Sequence, residues 1–222
     1  MAEIKQGYKQ TDVGVIPEDW GVCRIGKVLS ICHGRSQKNV EVTIGKYPIL
    51  ATGGKIGETN TYLYNKPSVL VGRKGTINKP QYIDKPFWTV DTLFYSDIKC
   101  DNLPKYLFYK FCLIDWQKYN EASGVPSLSS KTIESIQIPL PKPAEQKVIA
   151  EALSDVDGLI ESLEELVAKK QDIKTATMQQ LLTGKKRLLG DGAWEMKMLG
   201  GIGVFTKGQG IKKDEAQSGS IP

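Results

Sequence analysis

The sequence predicts an α+β protein in which one mixed α/β domain is followed by a long helix that forms a coiled coil. Up to about residue 141, short runs of branched and aromatic side chains are separated by Gly, Pro, Asn and Asp, which is typical of strands and turns. From Ala144 to about Thr183 there is no proline and a single glycine, as expected of one uninterrupted helix. A chain of 222 residues has room for one core and such an appendage.

Three of the short runs are predicted strands, at residues 47–50, 68–71 and 87–90. Between residues 104 and 116, apolar side chains recur at roughly helical spacing, which predicts a buried helix that crosses the sheet. These side chains are Leu107, Phe108, Phe111, Cys112 and Ile114.

Residues 136–143 hold three prolines at alternate positions. This pattern excludes both a helix interior and a central strand, because proline lacks the N–H that either ladder requires. The domain is therefore predicted to close on a stiff, extended connector.

The long helix carries an apolar seam with the four-and-three spacing of a coiled coil. The seam consists of Ile149, Leu153, Val156, Ile160, Leu163 and Val167. A second row, formed by Leu159, Leu166 and Ile173, widens the stripe and indicates more than one packing partner. About 40 helical residues span roughly 60 Å, which is too long to fold back along one small domain. The alternative, a charged helix that simply ends the domain, does not account for the uninterrupted seam.

After a helix stop at Gly184, the sequence begins to repeat its own start. When Trp194 is placed over Trp20, apolar, glycine and proline positions match without a gap. The pairs are Ile25 with Leu199, Gly26 with Gly200, Val28 with Ile202, Ile31 with Phe205, Gly34 with Gly208, Gly45 with Gly219 and Pro48 with Pro222. We therefore predict a domain over residues 1–143, a helix over residues 144–187 and, over residues 188–222, the start of a second, incomplete copy of the domain.

Charge and cysteine content narrow the class of protein. A net charge of +5 weakly favours a polyanionic partner. The four cysteines include no Cys-x-x-Cys pair, and neither they nor His33 predicts a metal site. We expect all four, Cys23, Cys32, Cys100 and Cys112, to be small buried hydrophobes. Because the sequence shows no signal peptide and no apolar run of about 20 residues, we expect a cytoplasmic protein without a membrane segment.

Six segments carry local patterns that occur together in one known family. They are an opening segment at residues 7–20, a mid-domain pair at 71–76 and 87–94, and a passage from domain to helix at 123–129, 138–141 and 144–150. The spacing of the last segments is the most specific. With its plan of domain, long helix and restarted domain, the chain resembles the specificity subunits of bacterial type I restriction-modification systems.

The resemblance implies that the domain is a target-recognition domain for double-stranded DNA and that the helix is a spacer. In that family, two recognition domains joined by two antiparallel helices each read half of a split target. Two modification subunits supply S-adenosylmethionine and methylate adenine, and a separate restriction subunit, a motor and nuclease, cuts unmodified DNA. No cofactor is expected on this chain. With one full domain and one helix, it is a complete subunit, a native half-subunit or a truncated form.

Two basic loops are the first candidates for reading DNA. Arg73 and Lys74 lie between glycines directly after a predicted strand, so either side chain could reach a phosphate or a guanine. The alternative is a tight turn with solvated charges. Arg35, Gln37 and Lys38 lie in a second polar loop, where arginine and glutamine can make bidentate contacts to base edges.

Two further segments are candidates for phosphate contacts. Lys55 follows Gly53 and Gly54, whose backbone could approach a phosphate or simply form a turn. Ser127, Ser129, Ser130 and Lys131 carry donors, although a serine in this position is also a common helix cap.

The sequence contains no dinucleotide-binding fingerprint, no phosphate loop and no adenine-methylating Asn-Pro-Pro-aromatic motif, so a non-catalytic subunit is expected. We predict an antiparallel homodimer through the helical seam, because a single copy exposes a long apolar stripe. One alternative is a coiled-coil adaptor that reads no DNA. Another is the recognition end of a fused restriction-methylation enzyme, which would need a methyltransferase segment upstream of Met1.

Overall fold

The structure, a computed structural model, describes residues 4–190, 192 and 195–208. The chain divides into two compact units, Met1–Ile160 and Glu161–Pro222.

Within the described residues, the strands are β1 (Tyr8–Thr11), β2 (Gly14–Pro17), β3 (Gly21–Arg24), β4 (Leu29–Cys32), β5 (Glu41–Val42), β6 (Tyr47–Ala51), β7 (Gly54–Thr59), β8 (Ser68–Gly72), β9 (Gln81–Ile83), β10 (Trp88–Thr89), β11 (Leu93–Ile98) and β12 (Gln137–Leu140). The helices are α1 (Ile25–Val28), α2 (Pro104–Cys112), α3 (Ser130–Ser135) and α4 (Pro143–Leu182), and short 3-10 turns lie at Trp116–Tyr119 and Leu199–Gly201. This mixture of strands followed by a long helix confirms the predicted α+β class.

Two four-stranded sheets form the centre of the first unit, with strand orders β10-β6-β7-β5 and β4-β11-β8-β9. Their strands pair antiparallel except for β10, which runs parallel to β6. Two small ribbons, β1-β2 and β12-β3, complete the strand pairing.

The sheet β4-β11-β8-β9 is covered on both faces, and β8 is buried along its whole length. Val69 and Val71 point into the main hydrophobic cluster, which also contains side chains of α2 and α3. Leu70 points to the opposite face, where it packs in a second cluster with Leu50 of β6 and Phe87. Such alternation is inherent to a strand, and burial of both faces explains why residues 68–71 form a continuous apolar run.

Two of the three predicted strands are confirmed, as β6 and β8. The third prediction, residues 87–90, is too long, because only Trp88 and Thr89 belong to a strand. Phe87 instead forms an isolated bridge with Tyr64, and the Val90 N–H donates to the Leu50 carbonyl.

Helix α2 ends at Cys112, so the predicted helix over residues 104–116 is wrong in its last turn. Residue 116 of a continuous helix would lie over Cys112, which is exposed. The break after Cys112 lets Trp116 turn back into the main cluster, where it is 1% exposed. Its indole N–H donates to the Phe111 carbonyl at the helix end, at 2.9 Å, and the same carbonyl accepts from the Ile114 N–H at 3.2 Å.

The proline-rich connector is extended, as predicted, but it is also a strand. Ile138 and Pro139 belong to β12, which pairs with Cys23 and Val22 of β3. In a two-stranded ribbon every strand is an edge, so the missing N–H of Pro139 need not interrupt the ladder. The helix then begins at Pro143, a position that tolerates proline because its N–H would have no helical partner.

The first turns of α4 belong to the domain. Ala150 is 3% exposed within the main cluster, and Ile149 packs against that cluster. The compact unit therefore extends to Ile160, beyond the predicted domain end at residue 143. Ile149 is half-buried by its own domain, and its place in an intermolecular seam stays a prediction.

In the second unit, α4 ends at Leu182, and Gly184 adopts a left-handed conformation with φ of 71°. This residue is the predicted helix stop. The 3-10 turn Leu199–Gly201 corresponds to α1 in the repeat alignment. Ile25 is fully buried in the first copy, whereas Leu199 is 70% exposed. Trp194, Gly219 and Pro222, on which the repeat prediction also rests, lie outside the described residues.

None of the described helices is long and apolar enough to cross a membrane.

Candidate nucleic-acid interface

The loop that follows β8 carries Arg73 and Lys74 and is held by backbone hydrogen bonds on two sides. On one side, the Arg73 N–H donates to the Thr92 carbonyl at 2.8 Å. On the other, the Leu128 N–H donates to the Arg73 carbonyl at 2.9 Å, and Lys74 forms an antiparallel bridge with Ser127. Because neighbouring loops satisfy the backbone, the two exposed basic side chains are left for other partners.

Both glycines beside these basic residues are required by the backbone. A Cβ on Gly72 would lie 2.1 Å from the Thr76 carbonyl oxygen, and Gly75 has a φ of +94°. The loop is therefore a tight turn, and it also presents two exposed charges. The Arg73 guanidinium donates a long hydrogen bond, 3.3 Å, to the Asp91 carbonyl.

The second predicted loop, which carries Arg35, is fixed to the same part of the chain. The Arg35 N–H donates to the Thr89 carbonyl at 2.8 Å, and the Trp88 indole N–H donates to the Arg35 carbonyl at 2.9 Å. A Cβ on Gly34 would lie 1.9 Å from the Val90 carbonyl oxygen, so the two backbones are in direct contact. Residues 88–92 thus hold the Arg35 loop and the Arg73 loop together.

A third loop, the turn between β6 and β7, also reaches this edge. A Cβ on Gly75 would lie 4.0 Å from the Thr52 hydroxyl oxygen. The Gln81 side-chain amide donates to the carbonyl of Ala51 at 2.9 Å and anchors the turn. Gly53 has open space around it, so the tip of the turn is accessible.

The Arg73 loop and the segment around Ser127 border a cleft of about 360 Å³. Its lining consists of His33, Arg73, Lys74, Phe94, Glu121, Ser127, Leu128, Ser129 and Ser130. The sequence identified Arg73, Lys74, Ser127, Ser129 and Ser130 as candidates, and the structure brings them together. The other candidates do not line the cleft; they are Arg35, Gln37, Lys38, Lys55 and Lys131. Lys55 forms an ion pair with Glu58 in β7 instead.

Glu121 is a carboxylate in this otherwise basic cleft, and sequence reasoning missed it. A hydrogen bond from the Thr132 hydroxyl, with a further one from Ser129, lowers the pKa of Glu121. The side chain is exposed and therefore ionised at neutral pH.

His33 and Phe94 were also missed as members of the cleft, where their rings pack edge to face with centroids 5.0 Å apart. The loop that carries Glu121 offered one usable sequence signal, Asn120. Its side-chain oxygen accepts from the backbone N–H groups of Ala122 and Ser127, a common role of asparagine in loops.

Ser129 caps a helix, which is one of the two roles that the sequence left open for it. Its hydroxyl oxygen accepts from the Thr132 N–H at 3.1 Å and caps α3. Lys131 is exposed on the first turn of this helix, one residue beyond Ser130 of the cleft lining.

Among the described residues, no group of three or more His, Cys, Asp or Glu side chains is placed to hold a metal ion. Cys23 and Cys32 are half-buried, whereas Cys100 and Cys112 are exposed. The expectation of buried cysteines is therefore wrong for the last two, which lie beyond the end of β11 and at the end of α2.

Comparison with known proteins identifies one family. Residues 17–174 match the family model of the type I restriction modification DNA specificity domain. The MjaVIII specificity subunit of Methanocaldococcus jannaschii is 29% identical over 213 residues, which cover 82% of this chain and 48% of that protein. The EcoDI specificity subunit of Escherichia coli is 22% identical over 170 residues, covering 77% of this chain and 38% of that subunit.

Solved structures share the fold. A type I restriction-modification S subunit from M. genitalium superposes with a TM-score of 0.59 at 19% identity, over 72% of this chain and 45% of that one. The HsdS subunit of Thermoanaerobacter tengcongensis gives a TM-score of 0.56 at 14% identity, over 79% and 47% of the two chains. The chain spans about half the length of these relatives or less. It belongs to the family of type I restriction-modification DNA specificity domains.

Proposed function

We propose that this chain reads one half of a split, double-stranded DNA target for a type I restriction-modification enzyme. The observation that carries the proposal is the convergence of the Arg35 and Arg73 loops on residues 88–92, beside a cleft that Lys74 also lines. Fixed backbones with exposed basic side chains suit DNA, because phosphate contacts position a protein and arginine can then read guanine edges.

Five candidates lie outside the cleft lining, and all of them except Arg35 have supporting parts in this proposal. Gln37 and Lys38 continue the Arg35 loop, and Lys131 extends the basic surface along α3. These side chains and Lys55 would contact phosphates at the rim, which adds affinity without sequence information. Specificity is assigned to Arg35 and Arg73.

The family implies partners that supply the chemistry. Modification subunits would bind S-adenosylmethionine and methylate adenine, and a restriction subunit would cut unmodified DNA, all in the cytoplasm. This chain would then act as a non-catalytic scaffold without a cofactor of its own. Residues 188–222 would be the beginning of a second recognition domain.

The exposed face of α4 supports an antiparallel homodimer. Leu153, Val156, Ile160, Leu163 and Val167 are each between 40% and 56% exposed. An apolar stripe of this kind is stabilised by a second helix, and a two-fold axis is the commonest way to supply one. The dimer would provide the two recognition domains that the family resemblance implies for a full-length subunit.

Methylation mapping tests the proposal. The chain is produced with its modification subunit in a host that has no other specificity subunit, and methylated adenines are located by sequencing. We expect one interrupted motif with identical, inverted half-sites, because protein symmetry is mirrored in the DNA site. An adaptor without DNA readout would produce no new motif and no salt-dependent DNA binding by the complex. That result would reject the proposal.

A further inference from the structure

The first turns of α4 are fastened to the recognition domain by a fully buried glutamine. The side-chain oxygen of Gln146 accepts from the Leu103 N–H at 2.9 Å. Its amide donates to the Asn102 side-chain oxygen at 3.2 Å and to the Pro141 carbonyl at 3.1 Å. With 0% of its surface exposed and partners in three directions, Gln146 fixes both the position and the rotation of the helix.

Two further contacts hold the same stretch of helix. At its start, the Trp20 indole N–H donates to the Glu145 carboxylate at 3.0 Å. Three turns later, the Tyr109 hydroxyl of α2 donates to the Asp157 carboxylate at 2.6 Å and lies 3.2 Å from the Ser154 hydroxyl. Burial and the Asp157 hydrogen bond raise the pKa of Tyr109, so it remains a donor at physiological pH.

The buried centre of these contacts and the exposed seam occupy neighbouring sectors of α4. At 100° per residue, Gln146, Ala150 and Asp157 lie close to one line along the helix. Leu153, Val156 and Ile160 lie to one side of this line, on average roughly 65° around the helix from it, and Leu153 is the nearest of them to Gln146. The domain is therefore attached at a fixed angle to the part of the seam that lies in the same compact unit, from Leu153 to Ile160.

The protein can distinguish two spacer lengths only if the angle between the recognition domain and the helix is fixed. One added base pair moves the second half-site by about 3.4 Å and rotates it by roughly 35° around the DNA axis. A domain that could rock on its helix by such an angle would accept either spacer.

Resting on the proposed function, we infer that Gln146 and Tyr109 are positioning residues that set the number of base pairs between the two half-sites. They act through the orientation of the domain on α4, whereas the loops around the cleft select the half-site sequence. The two properties are therefore separable by mutation.

The test uses methylation mapping with the full chain and its modification subunit. Tyr109→Phe removes two hydrogen bonds and keeps the ring, and Gln146→Leu removes three and keeps the approximate size. Each should lower the preference for the correct spacer about tenfold, as expected for the loss of one or two net hydrogen bonds. Methylation would then appear at half-sites one base pair closer or farther apart, with unchanged half-site sequences.

Tyr62→Phe is the matched control, because Tyr62 lies after β7 and its ring packs against that of Tyr47 in β6. It should leave the spacer unchanged. If Gln146→Leu does not fold, Tyr109→Phe decides the question. A folded Tyr109→Phe variant with the original single spacer would overturn the inference and leave the proposed function standing. If the unmodified chain yields no bipartite motif, both are overturned.

Discussion

Lys74 and Ser127 face each other across an isolated antiparallel bridge, although one follows β8 and the other precedes α3. The bridge joins two loops that are far apart in the chain and closes one side of the cleft. It uses only backbone groups, so the Lys74 side chain is left to the cleft. Because the backbone is fixed independently, side chains of the cleft can be replaced without disturbing the fold.

Arg73→Ala is expected to weaken DNA binding by the complex with modification subunits, without loss of fold. If Arg73 reads a guanine, the loss is about 1 to 3 kcal/mol and is confined to the cognate site. If it contacts a phosphate, binding falls for all sequences and the salt slope decreases by about one unit. Titrations at several salt concentrations with cognate and scrambled duplexes separate the two roles.

Two further variants, Arg73→Lys and Arg35→Ala, test the type of contact that Arg73 makes and the role of the second loop. Lysine keeps the charge but lacks the bidentate fork, so Arg73→Lys should preserve a phosphate contact and lose a guanine contact. Unchanged affinity and an unchanged methylation motif in both alanine variants would exclude these loops from the interface.

Gly34→Ala should destabilise the domain, because the added methyl group would lie 1.9 Å from the Val90 carbonyl oxygen. Overpacking against backbone typically costs about 1 to 3 kcal/mol, measurable by urea denaturation. Gly53→Ala is the matched control, with open space around the site. It should leave stability nearly unchanged. If Gly53→Ala nevertheless weakens DNA binding, the turn between β6 and β7 approaches the DNA backbone closely.

Glu121→Gln is expected to raise the affinity for non-specific DNA and to reduce discrimination between sequences. The ionised carboxylate repels phosphates, but it can accept a hydrogen bond from the amino group of cytosine. Because its pKa is lowered, Glu121 stays charged below the ordinary glutamate value of about 4.3. The two proteins should therefore differ throughout pH 5 to 8 and converge only in more acidic solution. Equal DNA binding by both proteins at neutral pH would show that Glu121 serves only to hold Thr132 through their hydrogen bond.

The elements that the sequence predicted well are those fixed by local pattern. Residues 68–71 form an apolar run because β8 is covered on both faces, and α4 follows from a stretch without proline. The candidate loops were recognisable for the same reason. Glycines flank Arg73, and at least Gly72 and Gly75 have a backbone reason to be there.

The parts that could not be predicted depend on contacts between distant residues. The parallel pairing of β10 with β6 is set by packing between sheets, and no local pattern specifies it. Helix α2 ends early because Trp116 gains burial by leaving the helix. Glu121 joins the cleft only because the bridge between Lys74 and Ser127 brings its loop there.

Leu107→Ala and Leu113→Ala should differ strongly in their effect on stability, because Leu107 lies within α2 and Leu113 directly follows it. Leu107 is fully buried in the main cluster, so its truncation should cost about 2 to 5 kcal/mol. Leu113 is 78% exposed after the helix end, so its truncation should change stability by less than about 0.5 kcal/mol. Similar losses in both variants would mean that α2 continues and buries Leu113.

Replacing Ile160 and Leu163 with lysine should convert the proposed dimer into a monomer. Both side chains are about half exposed on the seam, and two charges at this position would leave four unpaired lysines in a symmetric interface. Light scattering on the purified chain measures the change. Glu165→Lys is the control, because residue 165 lies on the opposite side of the helix from the seam, and it should leave the dimer intact.

Deleting residues 160–166, one heptad, keeps the seam in register and shortens the helix by about 10 Å. The methylation motif should then keep its half-sites and lose base pairs from its spacer. A monomeric unmodified chain, or an asymmetric motif in cells with no other specificity subunit, would contradict the homodimer.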